Sequence, residues 1–270
     1  MKKIIALLTA LTLLGLMATG CAAKKDDTLK VGMELAYPPF ETKDDQGNPT
    51  GVSVDFAKAL GEYLGRPVQI ENIAWDGLIP SLQTGKVDLV ISSMTIREDR
   101  KKEIDFSKPY AKALLALLTN KDSGIEKAED LNVAGRKIAV KTGTTGAFYA
   151  QDHFPNAEII SLADGSACVT EVVQGKADAF IYDQLTIYQN QKANPDTTTA
   201  VFLPGQQAEY WGVGVKKGNT ELVDKVNTFI DKFYTENSFG PITKKYLSEE
   251  KKAFDSFGFP WFFDGVNNEK

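Results

Sequence analysis

The run Gly85-Lys86-Val87-Asp88-Leu89-Val90-Ile91 returns as Gly175-Lys176-Ala177-Asp178-Ala179-Phe180-Ile181. In both copies a helix ends at Gly, a Lys-x-Asp turn follows, and an apolar run delivers a polar group at its end: Ser92-Ser93 in the first, Asp183 in the second. Two lobes of like build follow, unless the likeness is only that of helix-Gly-strand junctions in any α/β chain. Around the first copy, Leu29 to Met33, Val68 to Ile73 and Val87 to Ile91 read as strands. Phe56, Leu60, Tyr63 and Leu64 fall at helical spacing between an Asp55 cap and a Gly65 stop, and Gly77 to Thr84 reads as a second helix. Continuous apolar strands separated by helices argue for parallel sheets covered on both faces. The expected fold class is therefore α/β, two lobes with a ligand cleft between them.

Several chemistries lack the residues they need. His153 is the one histidine, so no multi-histidine metal site can be built, and Cys21 and Cys168 cannot make a thiolate zinc cluster. No phosphate-cradling glycine motif occurs, so no nucleotide cofactor is expected. With Lys+Arg 31 against Asp+Glu 36, nothing resembles the basic, aromatic-interleaved stripe that nucleic acid requires.

Residues 1–20 read as a signal peptide: Lys2 and Lys3, an apolar run from Ile4 to Met17, then Ala18-Thr19-Gly20 before Cys21. Small residues before a cysteine resemble the lipobox of bacterial lipoproteins, which would make Cys21 a lipidated membrane anchor and 21–28 its tether. Ala18 departs from that pattern, and soluble release stays open. Cys168 is then unpaired, which in an oxidising compartment argues for burial.

Lys112 to Thr119 is extended and apolar enough to cross between lobes, and Tyr210 to Val215 looks like the return. The expected layout is a first lobe of 29–114 and 212–270 and a second of 115–211. Glu221 to Tyr234 reads as a helix with one apolar face. The tail from Phe254 to Asp264 is rich in aromatics and either packs on a lobe or meets a partner.

In open α/β sheets ligands sit beyond the carboxyl ends of strands, where Ser92, Ser93 and Asp183 fall. Thr95-Ile96-Arg97-Glu98 has capping-box spacing, which predicts a helix whose free N–H groups favour an anion. Arg100, one turn on, either takes a carboxylate bidentately or belongs to a solvated charged face. Gly143-Thr144-Thr145 offers backbone donors to an anion or forms a plain strand-to-helix turn. Asp183 opposes an ammonium or caps a helix. Tyr37 and Trp75 are loop aromatics that belong to the core or wall a ligand. Arginine for a carboxylate, aspartate for an ammonium and aromatics for a side chain together describe a free amino acid.

At these residues the chain, from Leu29 to about Leu247, resembles the family 3 solute-binding proteins, the amino-acid-binding components of bacterial ABC importers. The likeness rests on Tyr37-Pro38-Pro39-Phe40-Glu41, Trp75 to Leu82, Ser92 to Arg100, Ile104 to Tyr110, Gly143-Thr144-Thr145, and Asp178 to Asp183. It implies two α/β lobes on a two-strand hinge, a monomer, no cofactor and an ABC permease as partner. It also implies that Arg100 and the N–H groups of Thr95 and Thr145 hold the ligand carboxylate. Asp183, the Thr95 hydroxyl and the Ser93 carbonyl would hold the ammonium, with Tyr37 and Trp75 sandwiching the side chain. The first-lobe disulfide of histidine- and lysine/arginine-type members cannot form here.

Glu34 follows the first strand and Lys141 the first strand of the second lobe, so both can reach the ligand side chain, with Tyr182 as a further polar contact. If Glu34 and Lys141 pair, they leave donors and acceptors for an uncharged polar group, and a glutamine-like ligand fits best, as in glutamine-binding members. If both face solvent, the aromatics alone choose. Two other functions stay open: a cyclohexadienyl-dehydratase-like enzyme, with Glu34 as its acid, and a ligand sensor for a signalling partner.

Overall fold

The computed structural model describes residues 27–203 and 205–266. The expected signal peptide, Cys21 and the tether through residue 26 lie outside them. No helix among the described residues is long and apolar enough to cross a membrane.

The strands are β1 (Leu29–Met33), β2 (Thr42–Lys43), β3 (Pro49–Thr50), β4 (Val68–Asn72), β5 (Leu89–Val90), β6 (Ile104–Ala113), β7 (Leu115–Asn120), β8 (Lys137–Lys141), β9 (Glu158–Leu162), β10 (Ala179–Asp183), β11 (Thr198–Phe202) and β12 (Glu209–Lys216). The helices are α1 (Val52–Leu64), α2 (Leu78–Gln83), α3 (Glu98–Glu103), α4 (Thr145–His153), α5 (Gly165–Val173), α6 (Gln184–Ala193), α7 (Thr220–Thr235), α8 (Phe239–Tyr246) and α9 (Ser248–Phe257). One five-stranded sheet runs β4-β1-β5-β12-β6, and the other, from its β9 edge, runs β9-β8-β10-β7-β11. The repeated strands β5 and β10 each occupy the middle of their sheet.

The repeat holds at the level of hydrogen bonds. Asp88 Oδ2 accepts from the Lys30 N–H at 2.9 Å, and Asp178 Oδ2 from the Lys137 N–H at 2.7 Å. Each aspartate also binds an arginine, Asp88 with Arg66 and Asp178 with Arg136. The Lys86 N–H donates to Ser81 O and the Lys176 N–H to Glu171 O, turning the chain from helix into strand in the same way. The Lys-x-Asp signature is thus the fastening of a lobe's central strand to its neighbour.

Both sheets are mixed, not purely parallel as expected. Four strands of each sheet run the same way, and only β12 or β7, antiparallel to the central strand and to the edge strand beyond it, is reversed. The apolar run Val87 to Ile91 contributes only the two-residue β5. Helix α1 starts at Gly51, not Asp55, which lies in its first turn. A Cβ at Gly51, whose φ is +122°, would stand 2.3 Å from Phe40 O, so this turn admits no capping side chain. Gly65 ends the helix in the left-handed conformation, as expected.

The first lobe buries one large core in which Phe56, Tyr110, Phe229, Phe233 and Phe239 pack with Phe254, Trp261, Phe262 and Phe263 of the tail. In the second lobe Leu115 and Leu117 face one cluster while Ala116 and Leu118 face another, so β7 is covered on both sides. Cys168 is fully buried in the latter, and burial pushes its thiol up to about 12.

Leu114 alone separates β6 from β7, and the return lies between β11 and β12. Tyr210 to Val215 is therefore not the crossing but the interior of β12, which pairs with β6 from Glu209 onward, ahead of the expected boundary at 212. The tail touches both lobes at this junction: Lys112 N–H donates to Phe262 O at 2.8 Å, Gln184 Nε2 to Pro260 O at 3.2 Å, and Phe259 packs on Phe202.

Helix α4 lies unusually close to β10, because a Cβ at Gly146 would meet Ile181 O at 2.5 Å. Gly146→Ala is expected to destabilise the protein by about 1–3 kcal/mol, the usual range for overpacking. An unchanged urea midpoint would show that α4 shifts freely on the sheet.

Candidate functional site

The carboxyl ends of both sheets meet at one cavity of about 40 Å³. Glu34 follows β1, Ser92 and Ser93 follow β5, Lys141 ends β8 and Asp183 ends β10. Of the residues expected to contact a ligand, Glu34, Tyr37, Trp75, Ser93, Thr95, Arg100, Thr145, Tyr182 and Asp183 line the cavity, and Lys141 reaches it through Glu34.

Arg100 is 6% exposed and bridges the lobes: Nη1 donates to Thr95 O at 2.8 Å and Nη2 to Gly143 O at 3.0 Å. Its guanidinium lies 5.2 Å from the Trp75 ring centroid, and Trp75 Nε1 donates to the same Gly143 carbonyl at 3.1 Å. Burial lowers its pKa to about 10, which leaves it cationic at neutral pH. No carboxylate oxygen among the described residues lies within 4.0 Å of it. A buried guanidinium held by carbonyls alone keeps a positive charge that no protein anion offsets at contact distance.

The expected capping box does not form. Helix α3 begins at Glu98 with Arg97 as its N-cap, and no side chain caps it. Tertiary contacts hold Thr95 elsewhere: its carbonyl serves Arg100, and it bridges to Trp211 through the N–H groups of Ile96 and Gly212 on either side. Arg97 crosses to the second lobe, its guanidinium 4.0 Å from the Phe148 ring centroid. Thr145 opens α4, where an N–H has no intrahelical acceptor.

Asp183 caps a helix, one of the two roles the sequence left open, and keeps its second carboxylate oxygen out of the cap. Its Oδ1 caps α6, accepting from the N–H groups of Leu185 at 2.9 Å and Thr186 at 3.1 Å, while its Oδ2 is buried with no partner among the described residues. Burial raises its pKa. Tyr37 stands beside it, its hydroxyl pKa pushed well up by burial and then by the Asp183 charge, and meets Tyr182 edge-on with centroids 5.7 Å apart. Glu34 and Lys141 form a buried ion pair between the lobes, their side chains 10% and 3% exposed, with the Lys141 ammonium 5.7 Å from the Trp75 ring centroid.

Two acids in the cavity were not assigned a role from the sequence. Glu41 is 1% exposed and receives hydroxyls from Ser53 at 2.6 Å, Ser93 at 3.1 Å and Ser92 at 3.2 Å. Burial raises its pKa to about 8 against the lowering effect of those hydroxyls. Ser93, one of these donors, has a φ of +48°, an uncommon conformation for a residue other than glycine. The Ser92 hydroxyl accepts from the Glu34 N–H at 3.0 Å, so this network reaches the ion pair. The one hint in sequence was an acid closing the aromatic-proline loop Tyr37 to Glu41. Glu209, whose carboxylate accepts from Thr145 and Thr95, left no hint, since its partners are remote in sequence.

The chain is similar to known proteins over most of its length. The L-cystine-binding protein TcyJ of Escherichia coli (strain K12) is 31% identical over 229 residues, covering 84% of this chain and 85% of that one. The structure of an ancestral arginine-binding protein bound to glutamine is 34% identical with a TM-score of 0.74, covering 82% and 98%. That of the ancestral amino acid-binding protein AncCDT-1, a precursor of cyclohexadienyl dehydratase, is 37% identical with a TM-score of 0.74, covering 82% and 95%. Residues 29–249, which hold every group of the cavity, match the bacterial extracellular solute-binding proteins, family 3, and the chain belongs to that family.

Proposed function

We propose that the protein captures a free polar L-amino acid, glutamine-like, by closure of its two lobes and delivers it to an ABC permease outside the cytoplasm. The observation that carries this is a pair of unmet needs in one cavity: Arg100 lacks an anion and Asp183 Oδ2 lacks a donor. A zwitterion supplies both. Its carboxylate would meet Arg100 and the N–H groups of Thr95 and Thr145, and its ammonium Asp183, the Thr95 hydroxyl and the Ser93 carbonyl. A cavity of about 40 Å³ holds a few waters by volume, so entry requires the lobes to part. Cys21, if lipidated, would tether the receptor to the membrane.

The side chain would meet Glu34 and Lys141, which neutralise one another yet retain donors and acceptors, with Tyr182 and the faces of Tyr37 and Trp75 around it. A cationic ligand would face Lys141 as a like charge, and an apolar one would leave polar groups without partners. Glutamine bound in a related arginine-type site supports such a fit. Competition binding is expected to rank glutamine above arginine and leucine, and the reverse order refutes the paired-charge reading. Lys141→Met leaves Glu34 without its cation and is expected to raise arginine relative to glutamine. An unaltered ranking would show that Lys141 does not read the side chain.

An enzymatic reading has one observation in its favour, buried acids with raised pKa in the cavity, among them Glu41 at about 8. Incubation with prephenate and arogenate decides: no turnover is expected, because three serine hydroxyls already hold Glu41.

A further inference from the structure

Thr95 and Thr145 come from opposite lobes, yet their hydroxyls converge on one oxygen. Thr145 Oγ1 donates to Glu209 Oε2 at 2.7 Å, and Thr95 Oγ1 donates to the same atom at 3.4 Å. Glu209 is the first residue of β12 and pairs with Ala113, the last of β6, so it stands where the chain returns from the second lobe. No ammonium or guanidinium nitrogen among the described residues lies within 4.0 Å of its carboxylate. Burial raises its pKa, opposed first by the Thr145 hydroxyl and then by the charge of Arg100.

We propose that Glu209 is a positioning residue that clasps Thr145 to Thr95 and thereby sets how long the closed cleft retains its amino acid. This rests on the reading of Thr95 and Thr145 as ligand contacts. A hydroxyl whose proton is donated to Glu209 presents only lone pairs elsewhere, so Thr95 is left as an acceptor, the polarity an ammonium needs. The bond to Thr145 fixes the first residue of α4, and with it the direction of an N–H that has no intrahelical acceptor. Because the two threonines belong to different lobes, the clasp exists only when the lobes are together. Its effect therefore falls on release, after closure, and not on the encounter with the open form.

Stopped-flow fluorescence on the purified protein tests this, using whichever of L-glutamine, L-arginine, L-histidine and L-cystine binds the wild type most tightly. Glu209→Ala is expected to speed release about tenfold, the cost of losing a hydrogen bond to a charged group, with the association rate held within about twofold. Glu209→Gln keeps one acceptor oxygen and is expected to fall between. Adding Thr145→Val to Glu209→Ala is expected to cause little further change, since both act through one bond. Unchanged or slower release in Glu209→Ala overturns the proposal, as does full additivity with Thr145→Val. So does a lowered unfolding midpoint with wild-type release, which would mark a purely structural role. If Arg100→Ala binds like the wild type, the ligand reading itself has failed. If Arg100→Ala loses binding while Glu209→Ala keeps wild-type release, only the clasp is wrong.

Discussion

Arg100→Ala is expected to lose two orders of magnitude or more in amino-acid affinity while remaining folded. Removing one partner of a buried charge pair costs about 3–5 kcal/mol, because the other is left buried without compensation. The fold is expected to survive because the protein partners of this guanidinium are two carbonyls at the mouth of the cleft, those of Thr95 and Gly143, and not core atoms. Calorimetry with a panel of amino acids, beside a thermal unfolding curve, separates the effects. Undiminished affinity in a folded variant would remove Arg100 from the site, and collapse of the unfolding transition would make it a structural bridge between lobes.

The second large effect concerns Glu41 and acts on stability. Its pKa is about 8 in the folded protein against 4.5 for the ordinary carboxyl, so the folded state holds the proton more tightly. Below pH 4.5 both states are protonated and Glu41 contributes no pH dependence. As pH rises toward 8 the unfolded chain releases a proton that the folded chain keeps, and stability falls by roughly 5 kcal/mol before levelling off. Asp183 and Glu209, also raised by burial, add slopes of the same sign. Glu41→Gln keeps the size and hydrogen-bonding capacity of the side chain but cannot ionise. Its urea-unfolding free energy is expected to change far less than that of the wild type between pH 5 and pH 9. Parallel curves for the two proteins would mean that Glu41 is ionised throughout and that the serine hydroxyls outweigh burial.

What could be read from the chain alone was what local pattern determines. The repeated Lys-x-Asp junction located the central strand of each sheet because one hydrogen-bonded turn is built twice from the same residues. Arg100, Asp183 and Glu34 were legible because they sit at fixed offsets from strand ends. The capping box at Thr95 failed for the opposite reason: its spacing is a local signal, and a bridge to Trp211 and the demand of Arg100 for a carbonyl overrode it. Tyr210 to Val215 was misplaced because an apolar run looks the same whether it crosses between lobes or fills a sheet. Glu209 was invisible, since it meets Thr95 and Thr145 only when two sheets and a hinge have assembled.

Ala113 lines the cavity that holds Arg100 and Asp183, Leu114 lines a second cavity of about 280 Å³ with Phe202 and Phe259, and Leu115 borders both. The aromatic tail, through Phe259, thus borders the junction between the lobes. If the lobes part as proposed, swinging the second lobe away would shift Phe202 and Gln184 against Phe259 and Pro260, which they touch. On that reading the tail would be a doorstop as well as core, and the bulk of one ring at position 259 would bear on how far the cleft gapes.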